Sequence, residues 1–512
     1  MGRLKGDLVA TGLELIETHI SWVFLGERDV FKVKRPVDFG FLDFRTLEAR
    51  QQACEAELRL NRRLAQDVYI GVVPITVAED GRHEIGGSGP VVDWAVHMRR
   101  LSEESRADQR LLHGALELED IDLLARRIAD FHREARCDEA TSAHGTPEVI
   151  RRNVRENFEQ TKGSLDEYLS TSEARSIESW QLDVLADEAR FETRRRAGRV
   201  RDGHGDLRLE HVYFENDSIS IIDCIEFNER FRFGDVCADV AFLSMDLAWH
   251  DRVDLAERLL STYARESSDY GLYRVVDFYE SYRAFVRGKI SSFVAADAEA
   301  SPVVRQRARA QARRYFMLSL AFERPPLVPP RLVAVGGLIA SGKSRTASAI
   351  GELLSAPVVS SDRLRKHLFG RGAEESLESK AWSGPYSHQS TAKVYDALWQ
   401  AAESVLSSGR PVVLDASFRT AAMRERALAM STRLGVPFTF VECAAPRETM
   451  LARLAKRESL SGHESDARPG LLGAFELAFE AVEELPPASH VRIDTAKPRE
   501  HNHARLRALF SA

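Results

Sequence analysis

The segment Gly337-Leu-Ile-Ala-Ser-Gly342-Lys343-Ser344 sets small residues, a lysine and a hydroxyl at the GxxxxGK[ST] spacing. Small residues let successive backbone N–H groups turn toward one point, forming an anion cradle at the start of a helix. There a lysine reaches the outer phosphates of a nucleotide, and a serine hydroxyl ligates Mg²⁺. Gly337, Ser341, Gly342, Lys343 and Ser344 are therefore the expected nucleotide contacts, with Ser344 also at the metal. Three further features follow downstream. In Ser360-Ser-Asp362-Arg-Leu-Arg365, Asp362 suits a general base facing an acceptor hydroxyl, and Arg365 suits a grip on that substrate. The same Ser-Ser-Asp triplet also suits a plain helix N-cap. Val412-Val-Leu-Asp415 ends an apolar run in an acid, which would stand beside phosphate-bound metal or simply solvate a turn. Arg453 and Arg457 lie one helical turn apart and could close on a phosphoryl group as a lid running on through 458–468. An exposed, salt-bridged helix is the plainer reading of those arginines. His463, His501 and His503 have no fixed-spacing partners and read as surface histidines.

A second chemical cluster lies earlier, in His204-Gly-Asp206-Leu-Arg-Leu-Glu-His211 and Ser220-Ile-Ile-Asp223. An aspartate in a tight loop can take a hydroxyl proton, and a carboxylate ending the next short strand can hold metal. Asp206 alone could be a turn former; the spacing to Asp223 argues for more. This stretch resembles the aminoglycoside and choline phosphotransferase family, whose loop reads HxDxxxxN. The likeness spans roughly the first 320 residues and includes Met98-Arg-Arg-Leu101, Ile128-Ala-Asp-Phe-His132 and Gly234-Asp235-Val-Cys-Ala-Asp239. It implies Asp206 as the catalytic residue, Asp223 as a metal ligand and a phosphate-contacting lysine on the third strand. Lys32 and Lys34 share one strand face; Lys32 is favoured, because Val30 then lines the adenine pocket. The helix glutamate that orients the lysine is Glu57, with Glu55 as the alternative. One position departs from the family, since His211 stands where it has the metal-ligating asparagine. Mg²⁺ prefers oxygen ligands, so His211 would bind a softer ion such as Mn²⁺, act through water, or mark weak or lost transfer. The missing glycine-rich loop in Glu17-Thr-His-Ile-Ser21 is no departure from the family. The later part, 331–512, resembles the small P-loop kinases that include gluconate kinase and the 5′-polynucleotide kinase domain.

The elements that must position these groups are legible as patterns. Apolar runs at 331–336, 357–360, 411–415, 437–442 and 490–494 alternate with helical stretches, the grammar of a parallel sheet with crossover helices. One such helix shows Val394, Ala397, Leu398, Ala401 and Val405 on one face and stops at Gly409. Earlier, 20–25 and 30–34 flank a turn at 26–29, 47–64 reads as a charged amphipathic helix, and 91–98 as a strand. From about 103 to 322 the chain is mostly helical, with a short β-rich insert near 203–225. Glu323-Arg-Pro-Pro-Leu-Val-Pro-Pro330 reads as an extended linker. The expected architecture is an α+β bilobal protein-kinase-like domain at 1–322, with a small lobe to about 101 and a helical lobe from about 102. After the linker at 323–330 comes an α/β P-loop domain at 331–512 with a parallel five-stranded sheet.

At 512 residues the chain is too long for one core. A 44% hydrophobic and 29% charged composition is that of a soluble globular protein. The net charge of −7 supplies no general basic field for nucleic acid or an anionic membrane. Five scattered cysteines suit reduced thiols, and with no signal peptide or apolar span the expected compartment is the cytoplasm. The expected function is an ATP-dependent phosphotransferase with two tandem kinase-like domains acting on hydroxyl groups of small molecules. Its cofactors would be ATP and Mg²⁺, or Mn²⁺ at the N-terminal site. Two alternatives are a nucleotide-gated regulator with a pseudokinase first domain, and a nucleic-acid 5′-hydroxyl kinase working through the P-loop.

Overall fold

The computed structural model describes residues 2–510 except 39, 41, 216–217, 374, 378–382 and 459–467; the side chains of residues 2, 457 and 458 are also outside the description. The chain divides into two compact units, Met1–Asp251 with Phe278–Leu320, and Arg252–Asp277 with Ala321–Ala512. The second unit thus takes up a segment from the middle of the helical stretch as well as everything after residue 320.

The first unit opens with a six-stranded antiparallel sheet in the order β1-β2-β3-β6-β4-β5. Its strands are β1 (Glu14–Glu17), β2 (Ser21–Leu25), β3 (Asp29–Lys34), β4 (Tyr69–Val77), β5 (His83–Ile85) and β6 (Val91–Arg99). The expected hairpin is present, with Leu25 opposite Val30 and Gly26 N–H donating to Asp29 O at 2.8 Å. Both faces of this sheet are covered. Leu47–Asn61, capped by Thr46, contributes Cys54 to a core with Val30, Val68, Tyr69, Val96 and Met98. A helix at Gly2–Ala10, for which the sequence showed no clear period, lays Leu4 and Leu8 on Trp22, Phe24, Val33 and Ile75.

The rest of this unit is helical, interrupted by β7 (Val200–Asp202), β8 (Val212–Glu215), β9 (Ser218–Ile221) and β10 (Phe233–Asp235). β8 and β9 form an antiparallel hairpin, and β10 pairs with β7. Beneath them the helix Val236–Trp249 is buried over almost its whole length. Such a helix normally carries no charge; this one carries Asp239 and Asp246, each bonded to backbone of the loop above it.

The second unit holds β11 (Leu332–Gly336), β12 (Val358–Ser360), β13 (Val412–Asp415), β14 (Phe438–Ala444) and β15 (His490–Asp494) in the order β12-β13-β11-β14-β15. All neighbouring pairs are parallel. β11 is buried at every residue, as expected for a central strand sandwiched between helices. The helix His388–Leu406 buries Val394, Leu398, Ala401 and Val405 as the pattern required, while Ala397 is only partly covered.

Residues 252–277 are tied into this unit by charge. Arg410 donates through Nε to both Glu257 oxygens at 2.9 Å and through Nη2 to Asp277 Oδ1 at 2.9 Å. Arg363 Nη2 meets Glu266 Oε2 at 2.6 Å, and the Tyr270 hydroxyl donates to Val358 O at 2.9 Å. The five cysteines are free thiols, and no helix among the described residues is long and apolar enough to cross a membrane.

Candidate active sites

In the first unit the fold gathers Lys32, Glu57, Asp206, His211 and Asp223. Period-two alternation on β3 puts Lys32 and Lys34 on one face, and Glu57 reaches both. Lys32 Nζ lies 2.9 Å from Glu57 Oε1 and 2.5 Å from Asp223 Oδ1. Lys34 Nζ lies 2.5 Å from Glu57 Oε2 and also pairs with Glu226. Lys34, Glu57 and Glu226 are sealed from solvent, whereas the Asp223 side chain is 44% exposed. Lys32 is thus the lysine joined to the half-open carboxylate, and Lys34 is an internal strut. Glu55 bonds Gln51 on the exposed side of its helix and takes no part.

The loop carrying Asp206 is held from below and behind. Asp239 accepts from His204 N–H at 2.6 Å and from Gly205 N–H at 2.9 Å, and Asp246 accepts from Leu209 N–H at 2.9 Å. Asp223 follows β9 with φ +66°, a left-handed conformation that a non-glycine residue holds only under local constraint. Its N–H donates to the Tyr69 hydroxyl at 3.2 Å, and Cys224 N–H donates to Asn61 Oδ1 at 2.9 Å.

Arg208 closes on Asp206 from two residues away. Its Nε and Nη2 donate to Asp206 Oδ1 and Oδ2, each at 3.0 Å, and it also pairs with Glu210. Burial alone would raise the Asp206 carboxyl; Arg208 and His211 outweigh it and hold the group well below the usual carboxylate range. Burial opposes ionisation of Asp223 as well, and Lys32 with His211 likewise pulls it down. Burial works against the Lys32 charge, and Asp223 with Glu57 more than offsets that. Among the described residues no group of three His, Cys, Asp or Glu side chains is arranged to hold a metal ion.

In the second unit β11 runs into the phosphate loop and then the helix Lys343–Leu354. Gly337 has φ +134° and Gly342 φ +94°, backbone states open to glycine. A Cβ at Gly337 would sit 2.4 Å from Cys443 O. Lys343 Nζ donates to Leu338 O at 2.8 Å, so the ammonium lies across its own loop. Ser341 is buried with no hydrogen bond to its Oγ, and Ser344 is exposed. Parallel register sets Asp415 opposite both Val335 and Ser360, at the strand ends where the loop begins. Gly337 N–H donates to Ser417 O at 3.1 Å and fixes the loop against that strand's extension.

The N-cap of the helix Ser361–Leu368 is Ser360, whose side chain accepts from Arg363 N–H at 3.4 Å. Capping therefore does not consume Asp362, which has no hydrogen bond or ion pair among the described residues. Arg365 is buried, donating to Pro385 O at 2.5 Å with its guanidinium 4.7 Å from the Tyr386 ring. Arg453 reaches Ala340 O in the loop at 3.1 Å and Thr495 O at 2.7 Å. The Arg457 side chain, His463 and the lid segment 459–467 lie outside the described residues.

Sequence reasoning missed four participants. Arg208 and Glu226 lie close after Asp206 and Asp223, but only the folded chain shows what they touch. Asp246 had a signal in being an acid amid apolar residues. Thr495, which donates to Ser341 O at 2.6 Å, had none.

The AAA domain family matches residues 332–481. The uncharacterized protein Rv2004c of Mycobacterium tuberculosis is 30% identical over 491 residues, covering 96% of this chain and 94% of its own. Among solved structures, a gluconokinase from Sinorhizobium meliloti 1021 is similar at 20% identity, over 36% of this chain and 95% of its own, with TM-score 0.26. The GDP complex of aminoglycoside 2′-phosphotransferase-IIIa is similar at 15% identity, over 62% of this chain and 99% of its own, with TM-score 0.36. The first unit sets a six-stranded antiparallel sheet before a helical stretch, and the second carries a five-stranded parallel sheet whose β11 runs into the phosphate loop.

Proposed function

The chain belongs to the family of its mycobacterial relative, and we propose that this family member is an ATP-dependent phosphotransferase with two tandem units. Each would transfer a phosphoryl group to a hydroxyl of a small molecule. The observation that carries this reading is the register in the second unit, where Asp415 stands level with the strand that feeds the phosphate loop.

Phosphoryl transfer asks little covalent work of a protein; positioning and charge neutralisation supply most of the rate. In the second unit the loop amides and Lys343 would hold the nucleotide's phosphates. Asp362, left without a capping duty, would accept the acceptor's proton, and Arg365 would orient that acceptor. Oxygen donors at Ser344 and Asp415 fit Mg²⁺, which when bound would neutralise the phosphates. In the first unit Lys32, braced by Glu57, would contact phosphate, and Asp206 would face the acceptor hydroxyl. There Asp223 offers oxygen, but His211 offers nitrogen, and that pair does not fit Mg²⁺.

A regulatory reading of the first unit draws on the arginine that occupies both Asp206 oxygens. One experiment addresses both readings. Full-length wild type, Lys343→Ala and Asp206→Ala are each incubated with γ-labelled ATP and a small-metabolite pool. Each substitution is expected to remove a different labelled product. Loss of one and the same product from both variants would end the two-reaction reading, and no Asp206-dependent product under any metal would leave the first unit a regulator.

A further inference from the structure

We propose that a cavity in the helical part of the first unit, at the Gly203 end of the loop that carries Asp206, is a binding site for a small oxyanion, a phosphate or carboxylate group. The site lies apart from the transferase reading, because none of the residues given a role with nucleotide, metal or acceptor lines it.

The cavity measures about 70 Å³, against about 30 Å³ for one water in the liquid, so it admits a group of a few heavy atoms. Three arginines line it, Arg230, Arg232 and Arg283, with two carboxylates, Asp235 and Asp239. Both acids are already committed. Arg194 holds Asp235 through Nε at 2.6 Å and Nη2 at 2.7 Å, and Asp239 takes the His204 and Gly205 N–H groups. Arg232 is likewise engaged with Asp202 and Ile225 O, and Arg230 with Asn153 and Glu156.

Arg283 is different. Its Nε donates to Ala238 O at 3.2 Å and its guanidinium leans on the Phe242 ring at 4.8 Å, but Nη2 stops 3.9 Å from Asp239 Oδ1, beyond hydrogen-bond reach. The side chain is only 12% exposed, and its two terminal nitrogens make no hydrogen bond among the described residues. Tyr279 is buried against the same cavity, and its hydroxyl has no hydrogen bond among the described residues either. His144 completes the set, its ring edge-on to Phe233 and both nitrogens likewise without one. Donors taken out of water and left unpaired cost free energy, most of all charged ones. An oxyanion supplies what these groups lack, several lone pairs and a negative charge. A cation would be repelled by Arg283, and an apolar ligand would leave the donors unpaired. Gly203 and Asp239 form the wall nearest the Asp206 loop, and Gly203 N–H donates to Arg232 O at 3.1 Å. An anion drawn to Arg283 therefore sits against the bonds that hold that loop.

Inorganic phosphate and acetate are each titrated calorimetrically into the full chain, with Mg²⁺ and a non-hydrolysable ATP analogue at saturation so that nucleotide positions are filled. Saturable binding is expected, and the preferred anion tells whether the site takes a phosphate or a carboxylate group. Arg283→Gln should weaken that binding by about tenfold or more, and Tyr279→Phe by a smaller factor. Gly234 lines the cavity and a Cβ on it meets nothing within 4 Å, so Gly234→Val adds bulk to the open space and should block the anion with Arg283 still present. Should Arg283→Gln fail to fold, Gly234→Val and Tyr279→Phe decide the matter. No saturable binding of either anion, or an affinity unchanged in both of those variants, would overturn the assignment.

Discussion

His204 stands at the head of the loop that carries Asp206, with both ring nitrogens engaged. His204 is fully buried; its Nε2 donates to Ile222 O at 3.0 Å and its Nδ1 accepts from Asp206 N–H at 3.3 Å. That is a neutral ring with both nitrogens employed. Burial, partly countered by Asp239, pushes its pKa from 6.5 down to about 4. The unfolded chain therefore binds this proton first as pH falls. The group costs nothing above its unfolded pKa, and stability declines between about pH 6.5 and 4 at up to about 1.4 kcal/mol per unit. Asp206, Asp223 and Asp239, all depressed, add losses of the same sign only nearer the ordinary carboxylate range. Urea unfolding from pH 7.5 to 4.5 should show a shallower slope for His204→Gln than for wild type, whatever the variant's absolute stability. Parallel slopes would mean that His204 is not the titrating group. At this scale the spacing of Asp206 and Asp223 was readable, because loop and strand lengths constrain it. The Arg208 clamp was not, since a side chain's choice between two neighbouring acids depends on burial.

At the scale of elements, strand and loop geometry did most of the placing. Alternation on β3 could say that Lys32 and Lys34 share a face and no more. The choice between them came from depth: the outer one meets Asp223 and the inner one is enclosed by Glu57 and Glu226. The phosphate loop is the converse case, where the motif already implied the backbone. Gly337→Ala would add strain of about 1–3 kcal/mol at its φ of +134° and press on Cys443 O. ATP affinity at the second unit should fall by about tenfold or more. Equilibrium dialysis in an Asp223→Asn background isolates that site; an unchanged affinity would show that the loop relaxes freely. All five strands of the second sheet lie at the expected apolar runs, and the three inner ones, β13, β11 and β14, do so because a central parallel strand must be apolar on both faces. The helix Gly2–Ala10 was hidden, since Leu4 and Leu8 alone make a weak period.

On the scale of the whole molecule, the segment Arg252–Asp277 groups with the P-loop unit although residues 278–322 separate it from the expected linker at 323–330. Arg410 is its main anchor, with side-chain exposure of 9% against 10% for Glu257. Removing one partner from a buried pair strands the other charge, at a cost of about 3–5 kcal/mol. Arg410→Ala should therefore lower the second unit's unfolding free energy by that order, Glu257→Ala by less because Asp277 still pairs with Arg410, and the double variant by less than the sum. Urea unfolding read by hydrogen exchange in β11 and β13 checks this; additive losses would mean that the pair is not coupled. Such docking cannot be read from pattern, because an amphipathic helix shows that it has an apolar face and not which core receives it.

The sequence by itself determined the chemistry-bearing motifs, the strand-then-helix order of the first unit and the parallel sheet of the second. Each of these is written in local spacing that backbone geometry must obey. Only the tertiary structure decided which lysine meets Asp223, that Ser360 rather than Asp362 caps its helix, and where residues 252–277 belong. Those outcomes depend on which distant groups are desolvated together, and burial is a property of the folded chain.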